Sequence, residues 1–169
     1  MLLIIYTIFI SGIQSKYLNY TNPEKDYSFE VNSNAHYLRK SINAMGYTDV
    51  FNVTEDFNKT KVNYSIIISK VIGTESIDLD KVISDAFRDA YIASCNCQLL
   101  GSKKADTKNL SGALYNIKMN VSQGVLVGYS YNIPKGKTMY NITYLTSEEN
   151  LKVNEAEYIY TINSMKILK

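Results

Sequence analysis

One switch of hydrophobic period limits what this chain can fold into. Residues 62–71, VNYSIIISKV, are rich in β-branched side chains and bounded by polar stretches, the pattern of a strand. Shortly after, in IDLDKVISDAFRDAYIA, the period changes. Leu79, Val82, Ile83, Ala86, Phe87, Ala90 and Tyr91 recur at helical spacing, with Asp80, Lys81, Asp85, Arg88 and Asp89 off the stripe. Asp78 suits the N-cap, because its carboxylate can accept an orphan backbone N–H of the first turn. A striped helix needs a surface to cover, and the strands around it supply one.

Those strands follow the alternating rule. In YSFEV, Tyr27, Phe29 and Val31 face one way and Ser28 and Glu30 the other. YTDVFNV is a short strand candidate, and NSNAHYLRKSINAMG suggests a loop with one helical turn. After the helix come a weak strand in QLLGSKKA, then GALYNIKM with Ala113, Tyr115 and Ile117 on one face. GVLVGYSYNI and TMYNITYL form an antiparallel hairpin, turned by Pro134 and Gly136. TSEENLKVNEAEYIYTINSMKI opens as a capping box, Thr146 with Glu149, and carries an apolar stripe of Leu151, Ala156, Ile159, Ile162 and Met165, extended by Tyr158. The expected fold class is α+β, a central antiparallel β-sheet with two main helices at about 78–93 and 147–164.

The order of elements resembles the PsbP-like superfamily. DYSFEV resembles its opening strand, IDLDKVISDAF its helix after the early strands, and LSGALYNIKM its strand with a preceding Gly. GKTMYNITYLTSEENLKVNEAEYIYTINSMKI resembles its closing hairpin, capped helix and terminal strand. The resemblance spans 26–167 and implies an α-β-α sandwich around an antiparallel sheet. Members include extrinsic subunits of a photosynthetic complex, a factor binding a small GTPase in nuclear import, and exported bacterial proteins. No functional residue carries over from them, since fold does not settle function.

The apolar run LLIIYTIFI is too short to span a membrane and matches the centre of a secretory signal peptide, cleaved after Ser15. The expected organisation is a signal peptide at 1–15 and a single domain at 16–169, secreted or periplasmic. Sequons start at Asn19, Asn52, Asn58, Asn63, Asn109, Asn120 and Asn141, and in a host that glycosylates secreted chains loop members such as Asn58 are credible acceptors. The net charge of +2 comes from mixed 18 basic and 16 acidic residues, which leaves no footprint for nucleic acid or a polybasic membrane patch. With 15 Tyr and no Trp, half-buried tyrosines on a sheet are expected.

Chemistry is sparse. His36 is the single histidine and stands in no nucleophile motif. A zinc site would need His36, Cys95 and Cys97 to converge with a carboxylate. The pairs Asp78/Asp80 and Glu148/Glu149 suit helix first turns rather than acid–base work. Cys95 and Cys97 admit three readings: thiols near a core, a strained local disulfide turning at Asn96, or a redox or metal pair. The expected function is therefore an exported, non-enzymatic module that binds another extracytoplasmic protein as adaptor or assembly factor, with no cofactor, metal or catalytic residue. The alternative is a small-molecule or lipid carrier with a pocket between helix 78–93 and the sheet. A thiol redox protein using Cys95 and Cys97 ranks below both.

Overall fold

Runs of alternating apolar and polar residues become strands wherever one face can be buried. In the computed structural model, which describes residues 16–43, 45–55, 61–122 and 124–168, the strands are β1 (Tyr17–Thr21), β2 (Tyr27–Asn32), β3 (Ala35–Asn43), β4 (Gly46–Thr54), β5 (Val62–Ile72), β6 (Gln98–Asp106), β7 (Ser111–Val121), β8 (Gly124–Lys135), β9 (Thr138–Ser147) and β10 (Lys166–Ile167). Seven form one antiparallel sheet in the order β3-β4-β5-β9-β8-β7-β6, and the other three form a small sheet, β1-β2-β10. The β8–β9 hairpin turns as expected, with Lys135 opposite Thr138 and Gly136 at φ 60°.

The two faces of the large sheet are covered differently. One lies under β2 and helix α3 (Leu151–Ser164). There Tyr27, Phe29 and Val31 meet Phe51, Ile66, Ile68, Tyr131, Ile142 and Tyr144, closed by Tyr158, Ile162 and Met165. Phe29 and Phe51 pack edge to face at 5.1 Å. Each large side chain fully buried here stabilises the fold by about 1.5–3 kcal/mol. Many tyrosines, Tyr27, Tyr115 and Tyr144 among them, are fully buried rather than half-buried.

The other face carries helices α1 (Leu79–Ile83) and α2 (Asp85–Cys95). One continuous helix was expected, and the chain breaks it at Ser84, which is extended at φ −66°, ψ 154°. Ser84 ends α1 by donating its hydroxyl to the Lys81 carbonyl at 2.6 Å and starts α2 by accepting from the Phe87 N–H at 3.3 Å. The break changes the phase of the stripe. Val82 is fully buried and Phe87 and Tyr91 half-buried, while Ile83, Ala86 and Ala90 are exposed. Asp78 caps α1 as expected, accepting from the Lys81 N–H at 2.8 Å.

Three further expectations are corrected, and one strand is added. Residues 35–43 form an edge strand rather than a loop, because Ala35 to Asn43 pair along β4. Residues 17–21 join a second sheet with no counterpart in the sequence reading. The capping box does not form: β9 runs on through Ser147, Thr146 donates to the Asn63 carbonyl at 2.7 Å, and a 3-10 turn at Glu148–Asn150 leads into α3. On α3 the buried face is Tyr158, Thr161 and Ile162, leaving Ala156 and Ile159 exposed. The apolar run at 2–10 and the sequon at Asn58 lie outside the described residues.

Candidate functional site

Alternation gives each strand two opposite faces, so the residues between the core tyrosines of β8 and β9 must point toward α1 and α2. They are Ser130, Asn132, Asn141 and Thr143, flanked by Ile67 and Ser69 of β5 and Ile117 and Met119 of β7. Helix α1 seals its side of the face, with Val82 pressed against β7 and the Tyr115 hydroxyl donating to the Val82 carbonyl at 2.5 Å. Burial pushes the Tyr115 hydroxyl up to about 12, so it remains a donor. Tyr91 of α2 stands edge-on to the Tyr115 ring at 5.2 Å.

Helix α2 stands off the middle of the sheet and leaves a cleft of about 490 Å³, walled by Phe87, Tyr91, Ile67, Ile117, Met119 and Met139. That volume lies within the range of small-molecule sites. Its floor is polar. Asn141 Nδ2 donates to Ser130 Oγ at 2.6 Å and to Asn132 Oδ1 at 2.8 Å, and Thr143 Oγ1 donates to Asn141 Oδ1 at 2.7 Å. Ser69, beside Asn141 on the next strand, forms a separate pair with Thr48, their hydroxyls 3.1 Å apart. Ser130 and Asn132 are almost fully buried, at 0% and 1% exposure. Among the described residues no Asp, Glu, Lys, Arg or His lines the cleft.

The same geometry places the cysteines. Cys95 ends α2 and lines the cleft, Asn96 takes the left-handed conformation at φ 50°, ψ 46°, and Cys97 is buried beside β6. This brings the two Cα atoms to 5.2 Å, and the sulfurs are joined. His36 is exposed on β3, at the opposite edge of the large sheet from β6, so it does not meet the cysteines. Among the described residues no group of His, Cys, Asp or Glu is arranged to hold a metal ion. Among the described residues no helix is long and apolar enough to cross a membrane.

Two charged clusters sit on the far side of the sheet. Asp26, nearly buried, accepts from Lys70 Nζ at 2.8 Å and from the Tyr47 hydroxyl at 3.1 Å, and Asn22 Nδ2 donates to the Tyr47 oxygen at 2.9 Å. Asp49, fully buried, accepts from the Tyr27 hydroxyl at 2.5 Å and the Tyr37 hydroxyl at 3.0 Å. Burial, and then the Asp49 hydrogen bond, push the Tyr27 hydroxyl far above its ordinary value, so it too stays a donor. These networks tie β2 to β4 and β5. The hydrogen bonds let the carboxylates be buried. At the start of β1, Lys16 pairs with Glu157 of α3, and the Tyr17 hydroxyl donates to the same carboxylate at 2.9 Å.

Sequence reasoning missed the cleft floor. Its only trace is the polar letters of GYSYNIP and YNITYL falling between Tyr and Ile. Tyr and Ile mark one buried face, and nothing local shows that the intervening face is covered too.

No protein-family model matches the chain, and comparison with curated proteins finds no relative. Solved structures do match in fold. Cyanobacterial PsbP (CyanoP) from Synechocystis superposes with a TM-score of 0.67 at 10% identity, covering 92% of this chain and 95% of that one. The Saccharomyces cerevisiae Ran-binding protein Mog1p gives 0.56 at 9% identity, covering 90% and 96%. A Pseudomonas aeruginosa protein of unknown function gives 0.57 at 11%, covering 89% and 96%. The chain therefore has a PsbP- and Mog1-like fold. At these identities the likeness concerns the fold alone.

Proposed function

We propose that this chain is an exported, non-enzymatic binding module that docks onto another extracytoplasmic protein. The observation that carries this reading is the outer face of α3. Val153 is 75% exposed and Ile159 50%, with Ala156 exposed between them, while Tyr160 beside them stacks on Tyr17 at 4.0 Å. Scattered apolar residues on a surface need no explanation, but a stripe along one helix marks an interaction face. A partner with an apolar groove fits it, in the helix-in-groove mode. The fold likeness to a protein whose name declares it Ran-binding supports a binding role.

The test is a native pulldown from the cell envelope or medium, run beside a Val153→Glu/Ile159→Glu double variant. The wild type should retain one stoichiometric partner, and the variant should lose it with an unchanged melting temperature. Absence of a partner, or its retention by the variant, refutes the reading. N-terminal sequencing of the exported protein checks the expected start at Lys16.

The cleft under α2 favours a second reading, a carrier of a small apolar molecule. Its volume and its apolar walls over a hydrogen-bonding floor are what such sites require. Native mass spectrometry of freshly purified protein would show the bound mass.

A further inference from the structure

The floor of the cleft specifies its occupant more narrowly than its volume does. Resting on the carrier reading, we infer that the cleft selects an uncharged amphiphile: an alkyl or similar apolar body with a hydroxyl or amide head seated on Asn132, Asn141 and Thr143. The walls supply the apolar half through Phe87, Tyr91, Ile67 and Met119.

The charge of the head follows from what the lining lacks. Among the described residues no cation or anion faces the cleft. An ionised head placed there would lose its hydration with no counter-charge, a large cost. A neutral head meets both donors and acceptors. Asn132 Nδ2 reaches, among the described residues, only the Ser130 carbonyl and hydroxyl, both at 3.4 Å, which are weak contacts. The Asn132 and Asn141 carbonyl oxygens each accept one bond within the ladder and retain a second acceptor site. A hydroxyl or primary amide can accept from the first group and donate to the others.

The floor also departs from what packing alone would choose. Ile67, Met139, Leu145 and Ile117 are apolar at neighbouring positions on this face, and Ser130, Asn132, Asn141 and Thr143 interrupt them at its centre. A buried polar row adds little stability over well-packed Val or Ile of the same shape, so packing alone does not account for it.

The experiment uses Nile red, an uncharged apolar dye, bound to the purified protein and displaced by dodecanol, laurate or dodecylamine at neutral pH. The dye should bind, and Ala90→Trp, which fills the cleft from its exposed rim, should abolish binding without lowering the melting temperature. Dodecanol should displace the dye at a concentration at least about tenfold below either ion, a margin of about 1.4 kcal/mol. Thr143→Val should shrink that preference to about twofold while the dye still binds, and Thr143→Ser should restore it. If Thr143→Val fails to fold, Ser69→Ala takes its place, since Ser69 lines the cleft opposite Asn141, and should reduce the preference. No dye binding, or binding indifferent to Ala90→Trp, overturns the carrier reading itself. Binding in the cleft with equal displacement by all three ligands, or a preference unchanged by the floor variants, overturns the head-group inference alone.

Discussion

Tyr115→Phe is the sharpest probe of how α1 and α2 are held. The ring of Tyr115 is fully buried, and its hydroxyl donates to the Val82 carbonyl, joining β7 to the end of α1. The substitution keeps the ring and its edge-on contact with Tyr91 and removes one oxygen. The lost bond leaves a buried carbonyl poorly satisfied, which costs about 1–3 kcal/mol. For a chain of this size that lowers the melting midpoint by roughly 3–9 °C. The loss should fall first on the helices, since their other contacts are largely half-exposed side chains. Amide exchange across α1 and α2 should therefore speed up by about fivefold to a hundredfold. Burial holds the Tyr115 hydroxyl near 12, so the effect should be equal at roughly pH 6 and pH 9. An unchanged midpoint with unchanged exchange in α1 and α2 would refute the claim that this phenol anchors them.

Gly128→Ala should destabilise by more than about 3 kcal/mol, because an added Cβ would lie 1.8 Å from the Tyr144 carbonyl oxygen across the hairpin; soluble yield and circular dichroism report it. Glu157 is the acid-sensitive joint. Burial works to raise its pKa, but hydrogen bonds from Lys16 and Tyr17, with the Lys16 charge, hold the carboxyl below its ordinary value. A depressed folded pKa contributes stability above the unfolded value, about 4.3, and that contribution is lost as pH falls through the folded one. The wild type should thus lose more stability than Glu157→Gln on acidification from roughly pH 6 to pH 3, read from urea midpoints, and parallel curves would count against the pairing. The protein purified from an oxidising compartment should yield a peptide with Cys95 and Cys97 linked, by mass spectrometry without reductant. The Cys95→Ser/Cys97→Ser variant should be only about 1–2 kcal/mol less stable, because the closed loop is very short.

How much of this was legible follows from which signals are local. Strands β2, β5, β7, β8 and β9 announce themselves because each buries alternate apolar residues, as in Tyr115 and Ile117. Strand β1 does not, because its side chains are exposed or half-exposed and its pairing with β2 supplies the reason for its shape. The break at Ser84 is invisible in an apolar stripe that runs unbroken through it, since serine ends a helix only when its hydroxyl finds the local backbone. Thr146 and Glu149 have the spacing of a capping box, yet a partner from β5, the Asn63 carbonyl, takes the threonine hydroxyl first. The buried Asp26 and Asp49 depend on Lys70, Tyr47, Tyr27 and Tyr37, brought together only by the pairing of distant strands.

The unequal sealing of the large sheet separates endurance from access. Its aromatic side is shut by a second sheet and a long helix, and melting it means dismantling the frame. Its other side closes with two short helices that meet in extended backbone at Ser84. Lifting α2 like a hatch breaks only the contacts of a few half-exposed residues, a small fraction of the cost of unfolding the hull.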